Sequence, residues 1–134
     1  MQRPRALRPF ARHRTNNSTQ RQCGLARLTR ARAEWHFGSG PDYCRGCAAL
    51  DRDCGLACPY AAHAPASIEG AAAWAAGTTC ATVTMAALDL DMPAALATAR
   101  EMGAFGSVAA ELLLAMRMGL AAGSASRRAD PTGH

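Results

Sequence analysis

The chain has 134 residues and a formal net charge of +5, and it contains 15 arginines but no lysine. Only 5% of its residues are aromatic, so Leu, Met, Ala and Val must supply most of any core. This length and composition exclude a large multidomain protein and favour one small domain that buries a limited area.

Neither export nor membrane insertion is predicted. No apolar stretch of signal-peptide length follows the arginine-rich start. No run of consecutive apolar residues is long enough to span a bilayer, so we expect no membrane partner. We therefore expect a cytoplasmic protein, and in that compartment clustered cysteines bind metal more often than they form disulfides.

The first quarter of the chain is strongly basic. Residues 1–32 contain nine arginines and no acid, whereas six arginines face ten acids from residue 33 onward. Because no apolar periodicity is visible, we expect a disordered arginine-rich tail over residues 1–40, with a short helix over 24–35 as the alternative. The charge of residues 1–32 can attract nucleic acid through counterion release. The other interpretation is a solvated segment that reflects an arginine-rich coding bias.

The cysteine-rich segment, residues 41–63, carries the most specific chemistry. Cys44, Cys47, Cys54 and Cys58 follow the spacing C-x2-C-x6-C-x3-C. Zn²⁺ takes four thiolates at tetrahedral corners, and two close pairs of cysteines can supply two corners each. We therefore predict a metal site formed by these four cysteines in a compact cysteine knuckle. A bound ion would stabilise a domain whose alanine-rich core buries little area.

Other interpretations of the four cysteines stay open. They can be reduced thiols without a metal or form two disulfides, and their two pairs lie closer together than in most zinc ribbons. An iron–sulfur cluster is the less favoured metal centre, supported by Cys58-Pro59 because C-x3-C-P closes bacterial ferredoxin motifs. His36 and His63 flank the segment and could replace a thiol as ligand, although a surface position is commoner for such histidines. Cys80 is expected to be a buried small apolar residue.

The remainder of the chain predicts helices. A first helix covers residues 67–82, and residues 83–90 predict an extended stretch or a turn. A second helix has Asp91 as its N-cap and ends at Gly103, and a third follows after a short connection. The short connection predicts an antiparallel hairpin of the second and third helices.

The third helix is predicted to run from Ser107 to Gly123. Its apolar residues recur at helical spacing on one stripe: Val108, Leu112, Ala115, Met116 and Leu120. Residues 124–134 predict a second disordered tail. The predicted fold class is therefore mainly α: a small helical domain over residues 64–123 that ends in a helical hairpin, with a cysteine-rich knuckle and a disordered N-terminal tail before it.

Several stretches resemble small proteins of tailed phages and prophages that are encoded among tail genes. The stretches that carry the resemblance are residues 42–50, 54–61, 68–75, 88–96 and 108–113. The resemblance spans about residues 42–123 and leaves out the arginine-rich tail. It implies a phage or prophage accessory protein, in the host cytoplasm or associated with a virion, whose partner is a phage structural or assembly protein.

We expect this function to operate by protein–protein contact during tail assembly. The helical hairpin would present either Leu112, Met116 and Leu120 or the face of Met102 to the partner. No nucleophile elbow, phosphate-binding glycine loop or H-E-x-x-H motif occurs, so no enzymatic activity is expected. The alternative is a zinc-knuckle nucleic-acid-binding module that uses the arginine-rich tail, and a small redox or iron–sulfur protein is the third interpretation.

Overall fold

The computed structural model describes residues 10–50, 58–85 and 87–129, and for residues 10–23 and 59 it describes the backbone alone. In chain order the described elements are α1 (Phe10–Phe37), α2 (Gly40–Ala49), α3 (Pro59–Ala62), α4 (Ile68–Thr79), β1 (Ala81–Thr84), β2 (Ala87–Leu90), α5 (Met92–Glu101) and α6 (Gly106–Ala129). The architecture is mainly helical, as the sequence predicts. Helix α6 is central to it, because α1, α4, α5 and β2 all pack against this helix.

Helix α1 replaces most of the predicted disordered tail. The segment from Phe10 to Phe37 is one continuous helix, although its apolar residues show no periodicity. Arginine and alanine are good helix formers, and the later part of α1 packs along α6. Tertiary packing therefore stabilises a helix whose own sequence pattern is weak. Residues 1–9 lie outside the described residues.

Helices α1 and α6 approach closely because α6 carries glycines at their contact. A Cβ at Gly119 would lie 2.7 Å from the Ala33 Cβ, and a Cβ at Gly123 would lie 3.1 Å from the Phe37 carbonyl carbon. These distances leave no room for a side chain larger than hydrogen. Gly119 contacts earlier residues of α1 and Gly123 contacts later ones, so the two helices run in parallel along this contact.

Side-chain caps fix the starts of α4 and α5. The Ser67 hydroxyl accepts a hydrogen bond from the Gly70 N–H at 3.0 Å, and the Asp91 carboxylate accepts one from the Ala94 N–H at 3.2 Å. Each cap satisfies an N–H group that the first turn of a helix leaves unpaired. The predicted N-cap Asp91 is confirmed. Helix α5 ends just before Gly103, whose φ of +108° suits glycine.

Strands β1 and β2 form an antiparallel hairpin, where the sequence predicts the end of a helix and then an extended stretch or a turn. Strands β1 and β2 pair in a register that sets Val83 opposite Leu88. Helix α4 ends at Thr79, so the predicted helix over 67–82 is three residues too long. The β-branched residues at 82–84 explain the difference, because such side chains favour a strand over a helix.

The core consists mostly of alanine and leucine. Its buried hydrophobic residues are Ala33, Ala72, Ala73, Ala76, Leu90, Ala95, Ala99, Ala104, Ala109, Leu112, Leu113, Ala115, Met116 and Leu120. The apolar stripe predicted for the third helix is confirmed, because four of its five members are in this set and Val108 is half-buried. The proposed partner surface of Leu112, Met116 and Leu120 is therefore wrong, since all three face the interior.

Helix α6 is longer than predicted. It begins at Gly106 rather than Ser107 and continues past Gly123 to Ala129, so most of the predicted second tail is helical. Residues 130–134 lie outside the described residues. By length and composition alone α6 could cross a membrane, but 44% of its most apolar window is buried inside the protein. Packing against α1, α4 and α5 accounts for its apolar character.

Candidate metal centre

Helix α2 positions two of the four predicted metal ligands. It begins at Gly40 with Pro41 in its first turn and Asp42 near its positive end, an arrangement typical of helix starts. Cys44 and Cys47 are three residues apart on α2, so their side chains lie on the same side of the helix. The structure thus presents this pair on a regular helix, where we expected a knuckle.

Cys58 lies beside Cys44. The pKa of the Cys44 thiol is raised, first by partial loss of hydration and then by Cys58, which acts through its charge and a hydrogen bond. Cys47 raises the pKa of Cys44 further. Each of these neighbours disfavours a thiolate, so the three sulfurs are close enough to interact electrostatically. A divalent cation would reverse this preference, because it stabilises several thiolates at once.

The indole of Trp35 packs under the start of α2. Its ring meets Tyr43 edge-on with 5.4 Å between the ring centroids, and a Cβ at Gly40 would overlap the indole. The indole nitrogen is buried and makes no hydrogen bond of normal geometry within the described structure. It still lowers the pKa of Cys44, partly opposing the neighbouring thiols. N–H groups close to sulfur also stabilise thiolates at metal sites.

Two of the predicted ligands, Cys47 and Cys58, lie near enough to Cys44 to raise the pKa of its thiol. The fourth, Cys54, lies outside the described residues. Across residues 10–50, 58–85 and 87–129, no group of three His, Cys, Asp or Glu side chains is arranged to hold a metal ion. The four-cysteine site therefore stays a prediction, and the described thiols by themselves do not complete a coordination sphere.

The two flanking histidines make other contacts. The ring of His36 stacks on Tyr60 with 5.8 Å between centroids and meets Trp74 edge-on at 5.5 Å. His63 Nδ1 is buried without a hydrogen-bond partner among the described residues, and His63 lines a cavity of about 250 Å³ beside Trp35. Both histidines are half-buried, whereas we expected surface positions.

An arginine–aromatic cluster of Arg32, His36, Tyr60 and Trp74 borders the cysteine segment. The Arg32 guanidinium carbon lies 3.9 Å from the centroid of the Tyr60 ring and 4.7 Å from that of the Trp74 ring. Arg32 is only 9% exposed, and its Nε and Nη1 have no hydrogen-bond partner in the described structure. The aromatic faces replace part of the lost hydration of this cation. The cluster joins α1 to α3 and α4, and so anchors the residues that follow Cys58.

Sequence reasoning missed the arginine–aromatic cluster. Its members are spread over residues 32–74, and no short motif connects them. One signal was available, because five of the seven aromatic residues lie between positions 35 and 74. Where aromatic residues are scarce, such a concentration indicates a local packing centre.

Cys80 is separate from the three thiols. It is the C-cap of α4, half-buried, with its sulfur 3.7 Å from the hydroxyl oxygen of Thr98. This environment is close to the predicted one of a buried small residue. Because Cys80 does not contribute to the pKa shift of Cys44, it provides a natural control for substitutions in the cysteine segment.

Comparison with known proteins gives no match: no family model, no curated protein and no solved structure corresponds to this chain. The resemblance to phage and prophage proteins stays an expectation.

Proposed function

We propose that the protein is a small accessory protein that acts by protein–protein contact, and that a structural Zn²⁺ ion holds its cysteine segment. In the setting that the sequence resemblance implies, the partner is a structural or assembly protein of a phage tail. The observation that supports the metal ion is the approach of Cys47 and Cys58 to Cys44. Thiolates on one ion would connect the residues around Cys58 to α2 and, through Trp35, to α1.

The cysteine segment needs such a connection because its described residues, 41–50 and 58–63, bury few apolar side chains. Within α2 the one buried residue is Gly40, and α3 has only four residues. A helix that removes so little apolar area from water gains little from the hydrophobic effect. Binding of zinc to thiolates contributes folding free energy directly, so it would stabilise this part of the chain.

The contact surface in this proposal is an apolar end patch of Ile68, Met102 and Phe105. These side chains are 75%, 49% and 63% exposed. Ile68 lies against the turn that joins Met102 to Phe105, because a Cβ at Gly103 would lie 3.7 Å from the Ile68 Cγ2. Methionine and aromatic side chains are enriched at protein interfaces. Of the two surfaces that the sequence suggested for the helical hairpin, the Met102 face is the accessible one.

Metal analysis tests the first half of the proposal. Protein purified under reducing conditions should contain one equivalent of zinc, and Co²⁺ should replace it with the absorption bands of a tetrahedral thiolate complex. Cys44→Ser should lose the metal and lower the melting temperature. The matched control is Cys80→Ser, which should retain the zinc. Metal-free protein that melts at the same temperature with or without a strong chelator would contradict the proposal.

Co-purification tests the contact surface. The protein should form a stoichiometric complex with a tail structural or assembly protein encoded beside it, and the double substitution of Met102 and Phe105 by serine should abolish this complex. Leu114→Ser is the control, because Leu114 is an exposed apolar residue outside the end patch. A complex that survives the double substitution would remove the end patch from the interface.

Nucleic-acid binding is the second candidate function, and the helical state of α1 favours it. Arg27 and Arg30 are exposed on this helix, and neither pairs with an acid among the described side chains. A basic helix can track the phosphate backbone. Any binding should weaken steeply with added salt, and the slope should fall when Arg27 and Arg30 are changed to glutamine. Deletion of residues 1–23 retains the contacts that Gly119 and Gly123 make with α1 and should reduce the affinity further.

A further inference from the structure

We infer that the outer edge of β1 pairs with the same edge of a second copy of this chain, which creates a four-stranded antiparallel sheet in the order β2–β1–β1–β2. The edge lies on the hairpin, and none of the residues of the end patch or the cysteine segment takes part. The inference therefore stands independently of the proposed function.

The two edges of the hairpin differ, and β2 is the anchored strand. Leu90 is buried, and Asp89 accepts two hydrogen bonds of 2.9 Å from the Arg117 guanidinium on α6. The Asp89 carboxylate also accepts a hydrogen bond from the Leu90 N–H at 2.7 Å. The Leu90 N–H, which points away from β1, thus already has an acceptor. Helix α6 also packs against β2.

The outer edge of β1 is exposed, and no described residue pairs with it. The Asp91 N–H donates to the Cys80 carbonyl at 3.0 Å, so residues 80 and 91 form a hydrogen-bonded pair. Such pairs alternate in an antiparallel ladder, which makes 81↔90 and 83↔88 the pairs without mutual hydrogen bonds. The N–H and C=O groups of Ala81 and Val83 therefore point away from β2. Among the described elements, only β2 packs extensively against β1.

The sequence of this edge is self-complementary. About a two-fold axis at Val83, Val83 faces its own copy and Thr82 faces Thr84 of the second copy. Cross-strand pairs of threonine and of β-branched residues stabilise antiparallel sheets. Natural edge strands are commonly protected by charged residues or proline, and β1 has neither. A charged residue at position 83 would face its own copy, so symmetric pairing requires a neutral residue there.

The hairpin tip adds apolar area to the same edge. Val83 is 77% exposed and Met85 is fully exposed. Met85 has a φ of +42°, a left-handed conformation that is unfavourable for a side chain of this size. In the symmetric pair Met85 lies opposite Ala81 of the second copy, where its side chain becomes covered. The contact is small against a standard interface of about 1,600 Å², so the association is weak and depends on concentration.

Sedimentation equilibrium of the full chain over a wide concentration range tests the inference. The wild-type protein should form a dimer as the concentration rises, whereas Val83→Pro should stay monomeric. Proline at this position removes an outward N–H group and leaves the hydrogen bonds between β1 and β2 in place. Val83→Lys is the second variant; it retains the backbone amide but sets like charges against each other across the two-fold axis. Leu114→Lys adds the same charge on an exposed part of α6 and should dimerise as the wild type does.

Amide hydrogen exchange gives a separate measurement. The N–H groups of Ala81 and Val83 should exchange at least several-fold more slowly at high protein concentration, with no change at the already paired residues of β1. The inference is overturned if the wild-type protein stays monomeric, if both Val83 variants dimerise normally, or if these two amides are protected only by a foreign peptide. Circular dichroism of each variant excludes unfolding as the cause of lost association.

Discussion

Gly119 on α6 lies directly against Ala33 on α1, with 2.7 Å between the Ala33 Cβ and the position that a Gly119 Cβ would occupy. This contact brings the two backbones together along the most extensive helix pair of the fold. It also explains how an arginine-rich segment becomes a packed helix. The glycines of α6 have no side chains, so the backbone and the short side chains of α1 can contact α6 directly.

Substitution of Gly119 should therefore separate the two helices. We expect Gly119→Val to lower the free energy of unfolding by about 1–3 kcal/mol, because the valine side chain overpacks the interface and forces the backbones apart. Urea denaturation followed by tryptophan fluorescence measures the effect, since Trp35 lies on α1.

Gly24→Ala on the same helix α1 is the matched control. A Cβ at Gly24 would have no heavy atom within 4 Å, so alanine should leave the stability unchanged or raise it by up to about 1 kcal/mol. Equal effects of the two substitutions would contradict the close packing of α1 on α6.

Two adjacent leucines on α6 should respond very differently to truncation. Leu113 is fully buried in the core and Leu114 is 50% exposed. We expect Leu113→Ala to cost about 2–5 kcal/mol, because it removes buried methyl groups and leaves a cavity. Leu114→Ala should change the stability by roughly 0.5 kcal/mol or less. Thermal denaturation of both variants checks the orientation of α6, and a reversed order would contradict it.

The stability of the protein should fall below neutral pH because of His36. Burial, and then the positive charge of Arg32, lower the pKa of His36 below its ordinary value of 6.5. The unfolded chain therefore takes up a proton before the folded one does. The contribution of His36 to the free energy of unfolding is fully present above pH 6.5. It is lost as the pH drops from 6.5, and the loss levels off below the pKa of His36 in the folded state. Urea midpoints at a series of pH values measure this dependence, which His36→Gln should reduce.

Arg32→Met separates the two causes of the His36 shift. Methionine retains the apolar contact with Tyr60 and Trp74 but removes the charge. The pKa of His36, measured by NMR titration, should rise relative to the wild type, because one of the two causes that lower it is gone. An unchanged pKa would mean that burial alone sets it.

The ion pair of Asp89 and Arg117 should make the hairpin sensitive to acid. Hydrogen bonds from Arg117, and then from the Leu90 N–H, hold the pKa of Asp89 below its usual value of 3.8 despite partial loss of hydration. The contribution of Asp89 to the free energy of unfolding is fully present above pH 3.8. It is lost as the pH falls through the lower pKa that Asp89 has in the folded state. Because the side chains of Arg117 and Asp89 are 47% and 42% exposed, the effect should be small and weakened by salt. A double-mutant cycle of Asp89→Asn and Arg117→Gln measures it, and zero coupling at low salt would contradict the pairing.

Local sequence signals were sufficient where short-range chemistry decides the structure. The cap at Asp91 and the C-terminal Gly103 define α5, and the apolar spacing along α6 identifies its buried face. A cap depends on residues within three or four positions, and the period of an amphipathic helix is visible in its own residues. The cysteine segment could likewise be located from its spacing, although its ligand set is still a prediction.

Only the tertiary structure decided what packs against what. Sequence alone could indicate that Leu112, Met116 and Leu120 share one face of α6, but it could not determine whether that face meets the protein's own interior or a partner. The answer depends on α1, whose helix is stabilised by a contact about 90 residues away along the chain, between Ala33 and Gly119. Arg32, Tyr60 and Trp74 likewise meet only after folding. Contacts between distant residues leave no local period in the sequence. This is why caps and apolar periodicity predicted a helical protein, whereas the packing determined its surfaces.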